Sequence, residues 1–114
     1  MAITVLYADL RTHPSQLIKF SAEWEPNMTV KEVIKKCLGE SKAQTIEEAL
    51  SNNDHEIIVS WWHKLSGAIS EIGGIGTTLS PISNDSVLTI TYENANTTQA
   101  QIDESIEWSL KQDI

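Results

Sequence analysis

The side chains able to do acid–base, nucleophilic or metal chemistry are few in this chain and poorly spaced for it. There are three histidines, His13, His55 and His63, and one cysteine, Cys37. Metal centres draw on three or four such ligands with further groups to orient them. No two of these histidines lie at helical ligand spacing, so neither a metal nor a cofactor is expected. Cys37 falls with Val30, Val33, Ile34 and Leu38 on an i, i+3, i+4, i+7, i+8 stripe, which predicts a packed thiol and not an exposed nucleophile. The run Gly73-Gly74-Ile75-Gly76-Thr77-Thr78 has the glycines of a phosphate loop without its Lys-Ser/Thr ending, and it reads as a turn. The acid pairs Glu47-Glu48 and Asp103-Glu104 could act as general acid and base. Both are expected in first helical turns, where carboxylates stabilise the positive end of the helix dipole. The chain is therefore expected not to be an enzyme.

The aromatic residues say more. Four tryptophans occur in 114 residues. Trp24 and Trp61 are expected inside. Trp62 faces the other side of its strand, either under a C-terminal helix or exposed. In that helix Ile102, Ile106 and Leu110 form a narrow stripe, and Trp108 lies about 200° from Ile106 around the axis. Trp108 is read either as a partner contact, since Trp is enriched at binding hot spots, or as internal packing. The candidate partner-binding residues are Trp62, Asp103, Glu104, Glu107 and Trp108.

Charge points the same way. Eight Lys and Arg stand against sixteen Asp and Glu, a net charge of −8. Residues 1–42 hold six bases and five acids, whereas residues 43–114 hold only Lys64 and Lys111 against eleven acids. Affinity for nucleic acid and for anionic membranes comes from Lys and Arg, so direct binding to either is not expected. The acidic half favours a basic protein surface, because complementary charge orients partners and speeds their encounter. A homodimer is a further way to cover both faces of the last helix. With one cysteine no intrachain disulfide forms, and residues 1–9 lack the basic stretch of a signal peptide; a cytoplasmic location is expected.

Those residues need elements to hold them. Ile3, Val5 and Tyr7 alternate through a strand over 2–10, and Ile18, Phe20, Ala22 and Trp24 through a second over 16–24, with Pro14 in the turn between. Thr29-Val30-Lys31-Glu32 is a capping box that opens a helix, and Gly39 closes it. Thr45-Ile46-Glu47-Glu48 is read as a second box, opening a short helix through Leu50 or Ser51. Residues 56–64 read as a strand apolar on both faces, 68–76 as a short irregular strand, and 77–85 as a loop anchored by Leu79 and Ile82. Residues 86–92 alternate as a last strand. Thr97 or Thr98, with Gln101, caps the final helix.

The hairpin running into Met28-Thr29-Val30-Lys31-Glu32-Val33-Ile34, and the segment from Thr77-Thr78-Leu79 to Val87-Leu88-Thr89-Ile90, resemble the ubiquitin-like β-grasp family. The resemblance implies an α+β fold, a sheet of four to five strands packed on one main helix, and the additional C-terminal helix read from its cap and stripe is a departure from a minimal domain of that type. The resemblance divides the chain into a ubiquitin-like domain over 1–93 and a helical extension over 94–114. The ending Ser109-Leu110-Lys111-Gln112-Asp113-Ile114 lacks the Gly-Gly tail of modifiers and sulfur carriers, and a single cysteine does not supply the four of a ferredoxin. What remains is the non-conjugating type. The expected function is a non-catalytic protein–protein interaction module of a larger assembly, an adaptor. The alternatives are a phage or mobile-element inhibitor that blocks a nucleic-acid-binding host enzyme by acidic mimicry, and an accessory subunit of a multicomponent enzyme.

Overall fold

The computed structural model describes residues 2–63, 69–72, 74–76 and 86–112. Its elements run β1 (Ala2–Asp9), β2 (Gln16–Glu23), α1 (Val30–Leu38), α2 (Glu40–Ser51), β3 (Ile57–His63), β4 (Ile69–Glu71), β5 (Ser86–Tyr92) and α3 (Gln99–Lys111). The chain is α+β. Its strands form one mixed five-stranded sheet in the order β2-β1-β5-β3-β4. β1 pairs antiparallel with β2 and parallel with β5, and β3 pairs antiparallel with both β5 and β4. No helix among the described residues is long and apolar enough to cross a membrane.

Strand alternation sorts the side chains onto two faces. Ile3, Val5 and Tyr7 of β1, Ile57, Val59 and Trp61 of β3, and Leu88, Ile90 and Tyr92 of β5 form one cluster with Val30, Val33 and Ile34 of α1 and Ala43 and Ile46 of α2. Trp24 and Trp61 both pack there, ring centroids 6.4 Å apart, as their strand positions predict. On the opposite face Leu6, Ala8, Leu10 and Val87 are buried as well. That face carries α3, whose Ile106, Ser109 and Leu110 stand over Ser60, Trp62, Thr89 and Thr91.

The first helix follows its sequence signals. The Thr29 hydroxyl accepts from the Glu32 amide at 3.2 Å, and Val30, Val33 and Ile34 are fully buried. Thr29→Ala is expected to cost about 1 kcal/mol, the usual worth of such a cap, read as a shift of the urea midpoint at unchanged slope.

The second helix corrects the sequence reading. Thr45 does not open it: α2 starts at Glu40, and the Thr45 hydroxyl donates to the Ser41 carbonyl inside the helix at 3.0 Å. Gly39 makes the early start workable. Its φ of +92° is open to glycine and costly for other residues. Its amide closes α1 on the Lys35 carbonyl, while its own carbonyl accepts from Ala43 in α2. One residue thus ends one helix and begins the next. Glu47 and Glu48 consequently lie in the second half of α2 and not in its first turn. Glu47 instead pairs with Lys31 of α1 at 2.9 Å. Asp103 and Glu104 likewise stand beyond the first turn of α3. The short strand expected within 68–76 is β4. The anchors Leu79 and Ile82, and the turn at 65–67, lie outside the described residues.

Candidate functional site

α3 is held on the sheet mainly at its first turn. The Thr98 hydroxyl accepts from the Gln101 amide, and Gln101 Oε1 accepts from the Thr98 amide at 3.0 Å, completing a capping box. The other end of the same side chain reaches the β1–β2 turn. Gln101 Nε2 donates to the carbonyls of Leu10 (3.1 Å) and Thr12 (2.9 Å) and to Ser15 Oγ (2.9 Å). Beside it Thr97 Oγ1 donates to the Leu10 carbonyl at 2.8 Å. Gln101 and Ser105 are buried and Trp108 is half-buried. These three fall at i, i+4 and i+7, so one stripe of α3 turns toward the sheet. The helix docks on a largely polar stripe that ends in Trp108.

Most of the apolar stripe is left outside, Ile102 being half-buried. Ile106 is 54% exposed and Leu110 63%. With Ser109 they overhang a groove of about 400 Å³ whose floor is Ser60, Trp62, Thr89 and Thr91. Trp62 is half-buried, and its indole Nε1 donates to Thr89 Oγ1 at 3.1 Å, which fixes the ring across two neighbouring strands. On the outer side of α3, Asp103, Glu104 and Glu107 are exposed. Asp103 accepts from Gln99 Nε2 at 2.9 Å, and Glu107 pairs with Lys111 at 2.9 Å. The five sequence candidates therefore divide: Trp62 lies in the groove floor, Trp108 turns partly inward, and the three acids line the outer helix surface.

The other chemically capable residues have structural surroundings. Burial pushes the Cys37 thiol up, against a smaller pull from Lys36, so the thiol stays protonated near neutral pH. The Nδ1 of His63 lies 3.3 Å from Ser86 Oγ, and its ring packs edge-on against Trp61. His13 and His55 are exposed, and no group of metal-ligating side chains occurs among the described residues. In the glycine run, Ile75 is buried and its carbonyl accepts from the Lys31 amide at 2.7 Å. That bond occupies an amide at the start of α1 which a bound phosphate would otherwise use. Gly73, Thr77 and Thr78 lie outside the described residues.

One cluster escaped the sequence reading. At the end of β1, Asp9 is 5% exposed. It accepts from Arg11 Nε at 3.0 Å, from Arg11 Nη2 at 2.9 Å and from the Arg11 amide at 3.1 Å. The guanidinium lies 4.0 Å from the Tyr92 ring centroid, Tyr7 donates to Asp9 at 3.4 Å, and Lys42 donates to Tyr7 at 2.9 Å. The side-chain hydrogen bonds from Arg11 hold the Asp9 carboxyl below its usual range, against the opposing effect of burial. Burial pushes the Tyr92 phenol up, with Arg11 pulling the other way. The sequence signal was only an acid and a base two residues apart at a strand end. Comparison of the chain with protein-family models, curated proteins and solved structures gives no match.

Proposed function

We propose that this protein is a non-catalytic interaction module that takes a protein partner into the groove beside α3, with a basic partner surface meeting Asp103, Glu104 and Glu107. The observation that carries the reading is the pair of exposed apolar side chains, Ile106 and Leu110, placed over an ordered tryptophan floor. Contiguous apolar surface with a charged rim is the usual form of a protein contact. Trp62 is the anchor within the groove, and Trp108 is half-buried on α3. For the fold, we propose a β-grasp of the non-conjugating ubiquitin-like type. The strand order β2-β1-β5-β3-β4, with a parallel central pair and a helix after the first hairpin, supports it. α2 and α3 are additions to a minimal domain of that type.

A double variant, Ile106→Ser with Leu110→Ser, tests the groove. Both side chains are exposed, so stability is expected to stay within about 0.5 kcal/mol of the wild type. Proteins captured by the two chains are then compared by quantitative mass spectrometry. The expected result is one species held by the wild type and depleted about tenfold or more by the variant, the effect of losing a hot spot. Equal capture by both chains defeats the reading. Acidic mimicry of nucleic acid is less favoured, because Glu107 already spends its charge on Lys111. Mimicry also requires binding that collapses with added salt and on reversal of the three acids.

A further inference from the structure

We propose that the partner enters as a basic amphipathic helix, which packs beside α3 over β3 and sets its positive side chains against Glu56, Glu71, Glu93 and Asp103. The inference rests on the groove reading and names the chemistry of its occupant. It begins from β3, which is apolar on both faces. Ile57, Val59 and Trp61 are buried in the cluster with α1 and α2. On the other face Ile58 and Trp62 are only half-buried, with Ser60 between them. A strand apolar on both faces is the kind that a fold covers from both sides. Among the described residues a single helix, α3, lies on this face. Its first turn bonds to the Leu10 carbonyl, just after β1, and its groove side overlooks β5 and β3. Packed helices stand about 8–10 Å apart and neighbouring strands about 4.8 Å apart. A second helix beside α3 therefore centres about two strands beyond β1, over β3.

Backbone bonding selects a helix. β5 and β3 are interior strands, each paired on both sides, so the floor offers no open ladder to an extended peptide. A helix satisfies its own backbone groups and can lie on such a floor. Charge then selects the sign. Glu71 of β4 is exposed and stands opposite Ser60 in the register, so it shares the groove's face. Glu56 and Glu93 are joined through their backbones and line a hollow with His55 and Ile102, at the end of β3 away from Trp62. Asp103 lies about 60° around α3 from Ile106, on the rim above the groove. Among the described residues Glu56, Glu71 and Glu93 are in no ion pair. An apolar floor ringed by carboxylates fits an apolar helix stripe flanked by Lys or Arg. It disfavours a second copy of α3, which would bring Asp103, Glu104 and Glu107 of its own.

The test uses a displayed library of random peptides of about 16 residues, long enough as a helix to run the length of α3. Peptides are selected on the wild type and counter-selected on Ile106→Ser with Leu110→Ser. Enriched sequences are expected to space apolar residues at i, i+3, i+4 and i+7, with Lys or Arg beside them. A synthetic copy of the leading sequence should gain helix on binding, read by difference circular dichroism. Its affinity, read by fluorescence anisotropy at low salt, should fall about tenfold on Glu56→Lys with Glu71→Lys, two exposed sites where reversal turns attraction into repulsion. It should hardly change on Glu40→Lys with Glu48→Lys, which alters net charge equally on α2, at the opposite face. Peptides that need Ile106 and Leu110 but bind extended, or carry acidic or uncharged flanks, overturn this inference and leave the groove reading standing. So does a helix indifferent to the reversals at Glu56 and Glu71. No enrichment, or equal binding to the wild type and the Ile106–Leu110 variant, defeats both.

Discussion

Replacing Gln101 with leucine is expected to destabilise the protein by about 3 kcal/mol, from a lost cap worth about 1 and buried polar groups stripped of their partner. The side chain is 5% exposed and works at both ends. Its oxygen caps α3, while its nitrogen ties the helix to two carbonyls and a hydroxyl of the β1–β2 turn. Leucine has similar bulk, so little of the loss comes from a cavity. For a chain of this size the melting temperature should fall by roughly 12 °C. Amide exchange should quicken first in α3, because the helix loses its anchor before the sheet loses its core. Gln101→Glu separates the two ends of the side chain. It keeps the capping oxygen but faces a carboxylate toward three oxygen acceptors, so at neutral pH it should be worse than leucine. The buried carboxylate is disfavoured when charged, which raises its folded-state pKa above the unfolded value of about 4.3. Its stability should therefore approach the wild type's below about pH 4.3 and fall away as pH rises through the folded-state pKa. A Gln101→Leu protein melting within a few degrees of the wild type would show that packing alone holds α3.

Gln101 also marks the border of what the residues disclose in order. Its capping role is local, three residues from Thr98, and the sequence predicts it. Its second role joins positions 86–91 residues apart, and no local pattern encodes that. The same division runs through the chain. β5 spans 86–92 both as read and as folded, because strict alternation sets a strand with one face buried. α1 follows its capping threonine, apolar stripe and closing glycine for the same reason. Thr45-x-x-Glu48 has the form of a capping box, yet it lies inside α2. What decides the matter is a backbone angle at Gly39, which lets α2 begin at once. Only Ala43 and Ile46 are buried in α2, so periodicity gave little warning. In α3 apolar character does not lead to burial at Ile106 and Leu110. Ile106 and Leu110 stay outside because the polar bonds of Thr97 and Gln101 at the first turn fix which side of the helix meets the sheet. That arrangement leaves an apolar rim over Trp62, and those residues define the candidate site.

Removing the Asp9 carboxylate is expected to cost about 2 kcal/mol at pH 6, at the scale of charged hydrogen bonds and discounted because the Arg11 side chain is 38% exposed. Asp9→Asn tests the charge with little change of shape. The asparagine oxygen can still accept from the Arg11 amide, but the paired bonds from the guanidinium weaken, and a cation stacked on Tyr92 loses its counter-ion. The effect carries its own pH signature. The hydrogen bonds from Arg11 depress the Asp9 pKa in the folded chain below its ordinary 3.8. A depressed pKa gives stability that is fully present above the unfolded value and lost as pH falls through the folded one. The gap between wild type and Asp9→Asn should thus be constant from neutral pH down to about pH 5 and narrow as pH falls below 3.8 toward the depressed folded-state value. Urea midpoints at pH 6 and pH 2.5, compared at equal slope, measure it. A gap of the same size at both pH values would mean that the loss comes from packing around the turn and not from the Asp9–Arg11 pair. The outcome bears on the groove as well. Arg11 leads directly into Thr12, whose carbonyl, like that of Leu10, receives the Gln101 amide. A turn loosened at Asp9 is therefore expected to lower the protection of α3 from exchange, coupling the end of the sheet to the helix that forms the candidate site.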